Sequence, residues 1–194
     1  MSTWQSYIKE YQIYLRLERG LSKNTIENYT FDIEKLVLFL HQHDIAVSPI
    51  TITEETIQQF IYEISSKVNA RSQSRVISGL KSFFNYLVFE DYRKDTPLEL
   101  IEVPKTGRKL PDTLATEEID ALISAIDLST PEGERNRAML ETLYSCGLRV
   151  SELVGLKISD LFFEEGFIKI TGKGNKQRFV PVGGSTIKYI TSYL

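Results

Sequence analysis

Two cationic side chains in the second half of the sequence could together hold a phosphate and protonate an oxygen that leaves it. Arg149 follows a glycine break and opens an apolar helical turn within residues 147–153. Lys173 lies between two glycines, at the tip of a predicted β-hairpin. A planar guanidinium grips phosphate oxygens in two places, and a flexible ammonium can donate a proton to a departing alkoxide. The pair is typical of phosphoryl-transfer chemistry.

Each of these residues also has a structural interpretation. Arg149 could pair with Glu152, three residues later on the same helix, and Lys173 could be a solvated residue of an ordinary hairpin turn. If Arg149 does hold phosphate, Glu152 is expected to orient its guanidinium. The neighbouring cations Lys176 and Arg178 suit phosphate-positioning contacts with DNA better than they suit catalysis.

Other kinds of site find less support in the sequence. Cys146 lies on an apolar helix, which predicts a buried structural thiol rather than a nucleophile. Residues 172–174 lack the remainder of the phosphate-binding loop of nucleotide hydrolases. Two histidines and one cysteine argue against a zinc site. The sequence therefore predicts no metal and no cofactor.

The charge of the chain is segregated along its length. The net charge of −3 would by itself argue against a nucleic-acid partner. Residues 67–109 nevertheless hold nine Lys and Arg against five Asp and Glu, and residues 169–178 hold four against none. The acids collect in residues 110–168, where twelve stand against four bases. Local positive fields of this kind suit a polyanionic partner.

The composition also indicates a compartment. No apolar run is long enough to span a bilayer, and the N-terminal residues lack the basic-then-apolar pattern of a signal peptide. A single cysteine excludes an internal disulfide, which suits a reducing environment. We expect a cytoplasmic protein with no membrane partner.

The apolar pattern predicts a mainly α-helical fold with a small antiparallel sheet. In residues 1–100, apolar side chains recur at three- and four-residue spacing in four stretches, which predicts a helical bundle. Gly20 is expected to end the first helix, and Ser22 and Thr53 are the predicted N-caps of the next two. Residues 101–112 are basic and contain prolines, which predicts a linker between two domains.

Residues 113–194 are predicted to combine helices with the sheet. Thr116 is the expected cap of one helix, and a second helix runs from about Pro131 to Ser145 and is stopped by Gly147. After Asp160, three short β-branched and aromatic runs predict strands with two turns between them. A last helix is predicted to begin near residue 185.

The two cationic motifs together identify a family. The Arg-bearing residues 147–153, followed by a three-strand segment with Gly-Lys-Gly-Asn-Lys at residues 172–176, resemble the tyrosine recombinase (phage-integrase) family. The nearer resemblance is to its Xer subgroup. Residues 21–29 resemble the core-binding segment of the family, and residues 71–75 and 83–87 continue the match. The resemblance covers essentially the whole chain.

The resemblance implies a site-specific DNA recombinase. In this family a tyrosine attacks a DNA phosphodiester, which leaves a 3′-phosphotyrosyl bond and a free 5′-hydroxyl. Arg149 matches the first catalytic arginine, and Lys173 matches the hairpin lysine that is the general acid for the 5′-oxygen. The covalent intermediate conserves bond energy, so no metal, cofactor or ATP is implied. Residues 1–100 would form the core-binding domain, and residues 113–194 the first part of an α+β catalytic domain.

The resemblance also implies partners. These are a double-stranded DNA recombination site clamped between two lobes, a tetramer assembled on paired sites, a second Xer-type recombinase and a division-linked DNA translocase. The implied role is chromosome dimer resolution. The DNA contacts expected in the helical lobe lie at two predicted helix starts: Ser22, Lys23, Asn24, Thr25, Arg71, Ser74 and Arg75.

The sequence departs from the family at its C-terminal end. The His-x-x-Arg motif, the later His or Trp and the tyrosine nucleophile of the family all follow the segment matched here, and none of the ten tyrosines of this chain comes after those elements. We therefore expect a truncated part of a longer recombinase that binds DNA weakly and cannot cleave it. Two alternatives remain: a non-catalytic DNA-binding module of integrase type, and the integrase of a mobile element.

Overall fold

A computed structural model describes residues 3–104, 107 and 110–194, apart from the side chains of Thr3 and Lys173. The chain divides into two compact units between residues 109 and 110. Of the predicted linker, residues 105, 106, 108 and 109 lie outside the described residues. In the part of the chain that is described, no helix is both long and apolar enough to cross a membrane.

The described part of the first unit contains the four helices that the apolar spacing predicts. These are α1 (Thr3–Leu17), α2 (Lys23–Gln42), α3 (Glu54–Lys67) and α4 (Ala70–Phe89). Gly20, with a φ of 58°, follows the end of α1. Ser22 and Thr53 cap α2 and α3, since their side chains accept the backbone N–H groups of Thr25 and Thr56.

The apolar stripes of these helices meet in an aromatic-rich core. Tyr11 is fully buried, and its ring packs edge-on against Phe83 with a centroid distance of 5.3 Å. The core continues past α4 through Ile101, which is buried. The hydroxyl of Ser74 donates to the carbonyl of Pro104 at 3.1 Å. The first residues of the predicted linker therefore pack on the helical unit.

The second unit combines helices with a small sheet. Its elements are α5 (Thr116–Ser124), α6 (Pro131–Cys146), α7 (Val150–Val154), β1 (Leu161–Phe162), β2 (Phe167–Thr171), β3 (Gln177–Pro181) and α8 (Gly184–Tyr193). The three strands are antiparallel in the order β1-β2-β3. Helix α6 packs against α8. Ile168 and Ile170 of β2 face the core of this unit, together with Cys146.

The predicted N-cap of α5 is wrong, whereas the predicted start of α6 is confirmed. The N-cap of α5 is Ala115 rather than Thr116. Glu118, in the first turn, reaches back and accepts the backbone N–H of Ala115 at 2.7 Å, so a carboxylate satisfies the helix start in place of the threonine hydroxyl. Helix α6 begins at Pro131, as predicted, and is capped by the hydroxyl of Thr130.

Candidate active site

Arg149 is the N-cap residue of the short helix α7. Gly147 ends α6 in the left-handed conformation, with a φ of 58°, which turns the chain toward α7. Leu148 is buried and Leu153 packs against the same core, so the apolar neighbours fix the backbone on both sides. The side chain of Arg149 is nevertheless 76% exposed. A guanidinium on a fixed backbone is therefore presented to solvent.

Glu152 holds Arg149 in place through hydrogen bonds. Its side chain is only 3% exposed. Its carboxylate accepts the backbone N–H of Arg149 at Oε2 (2.8 Å) and Nη1 of Arg149 at Oε1 (3.1 Å). It also accepts Nη1 and Nη2 of Arg178, at 2.6 Å and 3.0 Å. The hydrogen bonds from Arg178 and from the Arg149 backbone lower the pKa of Glu152 to about 2, so it is ionised at neutral pH.

Arg178 keeps 41% of its side chain exposed, and its place in the sheet brings its guanidinium to Glu152. It lies on β3 directly opposite Ile170 of β2. Because cross-strand partners project to the same face of a sheet, Arg178 shares the inner face on which Ile170 is buried. Its two bonds to Glu152 form a bidentate pair, which raises the pKa of the guanidinium.

The hairpin between β2 and β3 has the predicted turn. Residues Lys173–Asn175 form a single 3₁₀ turn in which Gly174 and Asn175 take positive φ values of 72° and 59°. The backbone N–H of Gly172 closes the turn by donating to the carbonyl of Lys176 at 2.8 Å. The Lys173 side chain lies outside the described residues, so the placement of its ammonium stays a prediction. Lys176 is exposed.

The base of this hairpin lies directly against Glu152. A Cβ atom added to Gly172 would stand 3.1 Å from Oε1 of Glu152 and 3.5 Å from Nη1 of Arg178. A Cβ at this distance is a tight contact, which requires the carboxylate or the hairpin to shift by a few tenths of an ångström. The structure thus brings together the element that carries Arg149 and the hairpin that carries Lys173.

Of the predicted DNA contacts at the start of α2, Ser22, Lys23 and Asn24 are exposed and Thr25 is half-buried. The hydroxyls of Ser22 and Thr25 lie 2.9 Å apart, within hydrogen-bonding distance. Lys23 forms a solvated ion pair with Glu27 at 3.7 Å. Asn24 is exposed, and its carbonyl accepts a bond from the side chain of Asn28. The first turn of α2 therefore offers polar and basic groups to solvent.

The predicted contacts on α4 are less uniform. Arg71 is exposed in the first helical turn. The hydroxyl of Ser74 donates to carbonyls of Ala70 and Pro104, so it holds the chain that leaves the helical unit. Arg75 donates to Asp32 of α2 at 2.6 Å, with 40% of its side chain exposed. Ser74 and Arg75 therefore have intramolecular partners in addition to their predicted role.

Asp32 is a charged residue that the sequence reasoning missed. Its side chain is fully buried between α2 and α4. Burial raises its pKa, an effect opposed by the charge of Arg75 and by its hydrogen bond. Within the described residues, Oδ1 of Asp32 has no hydrogen-bond partner. Gly79 permits the close approach, since a Cβ there would lie 2.9 Å from Oδ2.

Two models of one protein family match the chain, one on each unit. "Phage integrase, N-terminal SAM-like domain" matches residues 8–91, and "Phage integrase family" matches residues 112–194. The two matches together cover most of the helical unit and nearly all of the unit that holds Arg149.

Curated relatives match nearly the whole chain. The tyrosine recombinase XerD of Staphylococcus haemolyticus is 39% identical over 191 residues, which are 98% of this chain and 64% of that protein. The XerD of Staphylococcus saprophyticus is 41% identical over 188 residues, 96% of this chain and 63% of that protein. The chain therefore spans a little less than two thirds of the length of these relatives.

Solved structures share the fold. A lambda integrase tetramer bound to a Holliday junction has a TM-score of 0.74 at 19% identity, over 97% of this chain and 55% of that chain. The XerH recombinase bound to a palindromic difH substrate has a TM-score of 0.69 at 23% identity, over 90% and 53%. The predicted fold class is confirmed: a helical N-terminal domain is followed by the start of a catalytic domain with a small antiparallel sheet. The chain belongs to the phage integrase family of tyrosine recombinases, with Xer-type recombinases among its relatives.

Proposed function

We propose that this chain is part of a site-specific tyrosine recombinase, which cuts and rejoins double-stranded DNA through a 3′-phosphotyrosyl intermediate. One observation carries the proposal. The exposed guanidinium of Arg149 is held by the carboxylate of Glu152, which is buried and accepts four hydrogen bonds. The same carboxylate lies against the base of the hairpin that carries Lys173. Family membership and the recombinase names of the relatives support it.

Arg149 is proposed to stabilise negative charge on the scissile phosphate. A guanidinium has five N–H donors, and the side chain of Arg149 gives one hydrogen bond to Glu152. Its remaining donors are on a side chain that is mostly exposed. They can bind the non-bridging oxygens as charge develops on them in the transition state.

Lys173 is proposed to be the general acid. The oxygen of a deprotonated tyrosine, a phenolate, forms a bond to phosphorus while the bond from phosphorus to the 5′-oxygen breaks. The departing 5′-oxygen takes a proton from the Lys173 ammonium, which becomes a neutral amine. The position of Lys173 in a glycine-flanked turn supports this role, since the turn allows a lysine to extend toward a bound duplex. No tyrosine of this chain is assigned as the nucleophile.

The DNA is proposed to contact both units. In the helical unit the proposed contacts lie at the starts of α2 and α4; in the second unit Lys176 is proposed to contact a phosphate. The structural neighbours solved with DNA support a duplex partner. The helical contacts are Ser22, Lys23, Asn24, Thr25, Arg71, Ser74 and Arg75.

We propose a role in chromosome dimer resolution, linked to cell division and carried out in the cytoplasm, as the resemblance to the Xer subgroup implies; relatives named tyrosine recombinase XerD support the subgroup. We propose a tetramer on paired sites, a second Xer-type recombinase as partner and a division-linked DNA translocase as regulator. The tetrameric lambda integrase neighbour supports the assembly. Integration of a mobile element would use the same chemistry on a different site.

The chain alone is proposed to bind duplex DNA without cleaving it. The relatives are about one and a half times as long as the part of them that this chain matches. No tyrosine of this chain is assigned as the nucleophile. The test compares this chain with the complete product of its gene, on a nicked suicide duplex selected by binding from a random-sequence pool. We expect a covalent protein–DNA adduct with the complete product and none with residues 1–194.

Variants of the complete product test the assignment of roles. We expect R149A to slow adduct formation by about 100- to 1,000-fold, the usual cost of losing a donor to transition-state charge. An adduct formed by residues 1–194 alone would refute the proposed inactivity. A complete product that binds the selected duplex but never forms an adduct would favour the non-catalytic DNA-binding module.

A further inference from the structure

Arg178 lies on the inner face of the sheet, beside a buried carboxylate. Its cross-strand partner Ile170 is 1% exposed, and the two side chains share the inner face of the sheet. Val180, two residues further along β3, lies on the same face and packs against the same core. The side chain of Arg178 is 41% exposed, and the anion beside it is the buried carboxylate of Glu152, which requires a cationic partner.

Glu152 supplies that anion with both of its oxygens. Arg178 donates through Nη1 and Nη2 in a bidentate pair, the geometry that fixes a guanidinium most firmly. The same carboxylate accepts the backbone N–H of Arg149 at the start of α7. One side chain thus joins the backbone of the helix to the second strand of the hairpin.

A second, independent feature points to the same junction. The backbone of Gly172, at the start of the hairpin loop directly after β2, approaches Oε1 of Glu152 so closely that an added Cβ would stand 3.1 Å away. The hairpin therefore meets the carboxylate at both of its strands. Lys173 is the next residue in the chain after this contact.

Arg149 and Arg178 use different numbers of their side-chain N–H donors to bind Glu152. Arg149 gives one side-chain hydrogen bond to Glu152 and is 76% exposed. Arg178 gives two and is 41% exposed. The bidentate pair of Arg178 with Glu152 is electrically neutral as a unit, which leaves the charge of Arg149 for an external anion.

We propose that Arg178 is a positioning residue, which fixes the Lys173 hairpin against the helix that carries Arg149, rather than a contact to a DNA phosphate. The inference rests on the proposed recombinase function and adds a role that the assignment of Arg149 and Lys173 does not contain. Through Glu152, Arg178 sets where the general acid stands relative to the phosphate that Arg149 holds.

DNA binding distinguishes the two roles of Arg178. A residue that neutralises one phosphate changes the slope of log affinity against log salt by about 0.9. For residues 1–194 on duplex DNA, we expect R178Q to keep the wild-type slope. The variant K176Q removes an exposed cation of the same hairpin, and we expect it to make the slope shallower by about 0.9. A slope reduced in R178Q as in K176Q would overturn the inference and restore Arg178 as a phosphate contact.

Cleavage by the complete gene product tests the positioning role. On an ordinary suicide duplex we expect R178Q to slow adduct formation by about 100-fold, the scale of a misplaced catalytic group. A substrate with sulfur in place of the 5′-bridging oxygen needs no general acid, because a thiolate leaves without a proton. On that substrate the loss in R178Q and in K173A is expected to shrink to under about 10-fold, while R149A stays slow.

The conservative variant R178K and the folded state of R178Q complete the test of the positioning role. R178K restores the charge but not the bidentate geometry, and is expected to fall between wild type and R178Q on the ordinary substrate. If R178Q cleaves like wild type, or is equally slow on both substrates although its amide NMR spectrum shows a folded sheet, the positioning role is wrong. If the wild-type complete product forms no adduct at all, the proposed function fails first, and the salt slope still decides whether Arg178 contacts phosphate.

Discussion

Two arginines that share one carboxylate have different environments, and the difference follows from where their backbones lie. Arg149 stands at the open start of α7 and sends its guanidinium outward. Arg178 stands on the inner face of the sheet, where its guanidinium pairs with the buried carboxylate of Glu152. Residue type alone does not distinguish a group that can bind substrate from one that holds the site together.

The low pKa of Glu152 makes a testable link between the site and folding. The pKa is lowered from 4.5 to about 2 in the folded protein. A carboxyl whose pKa is lower in the folded state adds stability above its unfolded pKa and loses it as the pH falls toward the folded value. We therefore expect E152Q to be less stable than wild type at pH 6, with a difference that shrinks as the pH falls toward 2.

The measurement must report on the second unit. The only tryptophan, Trp4, lies in the first unit, so its fluorescence follows the wrong part of the chain. Urea unfolding can instead be followed by the methyl NMR signals of Ile168 and Ile170, which are buried beside the site. E165Q removes an exposed carboxylate and serves as the control. A difference between E152Q and wild type that is constant with pH would contradict the role of Glu152.

At the scale of elements, the site depends on how closely a hairpin approaches a short helix. The five-residue helix α7 has few internal hydrogen bonds. Its position is set from outside, by the Gly147 turn before it and by the contacts of Glu152 after it. The hairpin meets it through Arg178 and through Gly172, where an added Cβ would stand 3.1 Å from Oε1 of Glu152.

Replacing Gly172 with alanine tests this approach. Glu152 is held by four hydrogen bonds and cannot move aside without loss, so the added methyl group must displace the hairpin. We expect G172A to destabilise the second unit by about 1–3 kcal/mol, the usual cost of overpacking. Urea unfolding followed by the β2 amide signals measures it.

A nearby glycine provides the matched control. A Cβ at Gly184, in the first turn of α8, meets nothing within 4 Å. Because alanine is a better helix former than glycine, G184A is expected to be neutral or slightly stabilising. If G172A were as harmless as G184A, the hairpin would not be held against Glu152 as described.

The helices, strands and their order could be predicted from the sequence because apolar periodicity and caps act locally. The α2 cap at Ser22 and the stop at Gly147 are examples. The bond from Arg178 to Glu152 joins residues 26 positions apart, and the sequence reasoning considered only the pair of Glu152 with Arg149. Tertiary partners of that kind depend on sheet register and packing, which periodicity does not specify.

Asp32 was missed for a different reason, and a signal for it was present. It lies three residues after Tyr29 and four before Leu36, on the apolar stripe of α2. A carboxylate at such a position is buried and requires a partner. Arg75 is that partner, 43 residues away, and it was assigned to DNA from its helix position alone. The pairing leaves Arg75 with a structural task in addition to the proposed one.

At the scale of the whole molecule, a net charge of −3 coexists with a proposed DNA partner because the charges are separated. Residues 169–178 carry four bases and no acid, whereas residues 110–168 carry a large acidic excess. Binding to a polyanion depends on how many phosphates are neutralised, not on the total charge of the protein. Salt dependence is therefore the property that tests the proposed contacts of both units together.

The salt dependence of DNA binding can be compared after substitution of two different sets of three cations. The first set contains proposed contacts, Lys23, Arg71 and Lys176, and the second contains exposed lysines with no proposed contact, Lys9, Lys94 and Lys157. Both triple substitutions to glutamine change the net charge equally. Losing three phosphate contacts makes the negative slope of log affinity against log salt shallower by about 2.7. We expect that change for K23Q/R71Q/K176Q. Because net charge alone does not release condensed counterions, K9Q/K94Q/K157Q should keep nearly the wild-type slope; equal losses in the two variants would mean that the proposed contacts are not where the DNA lies.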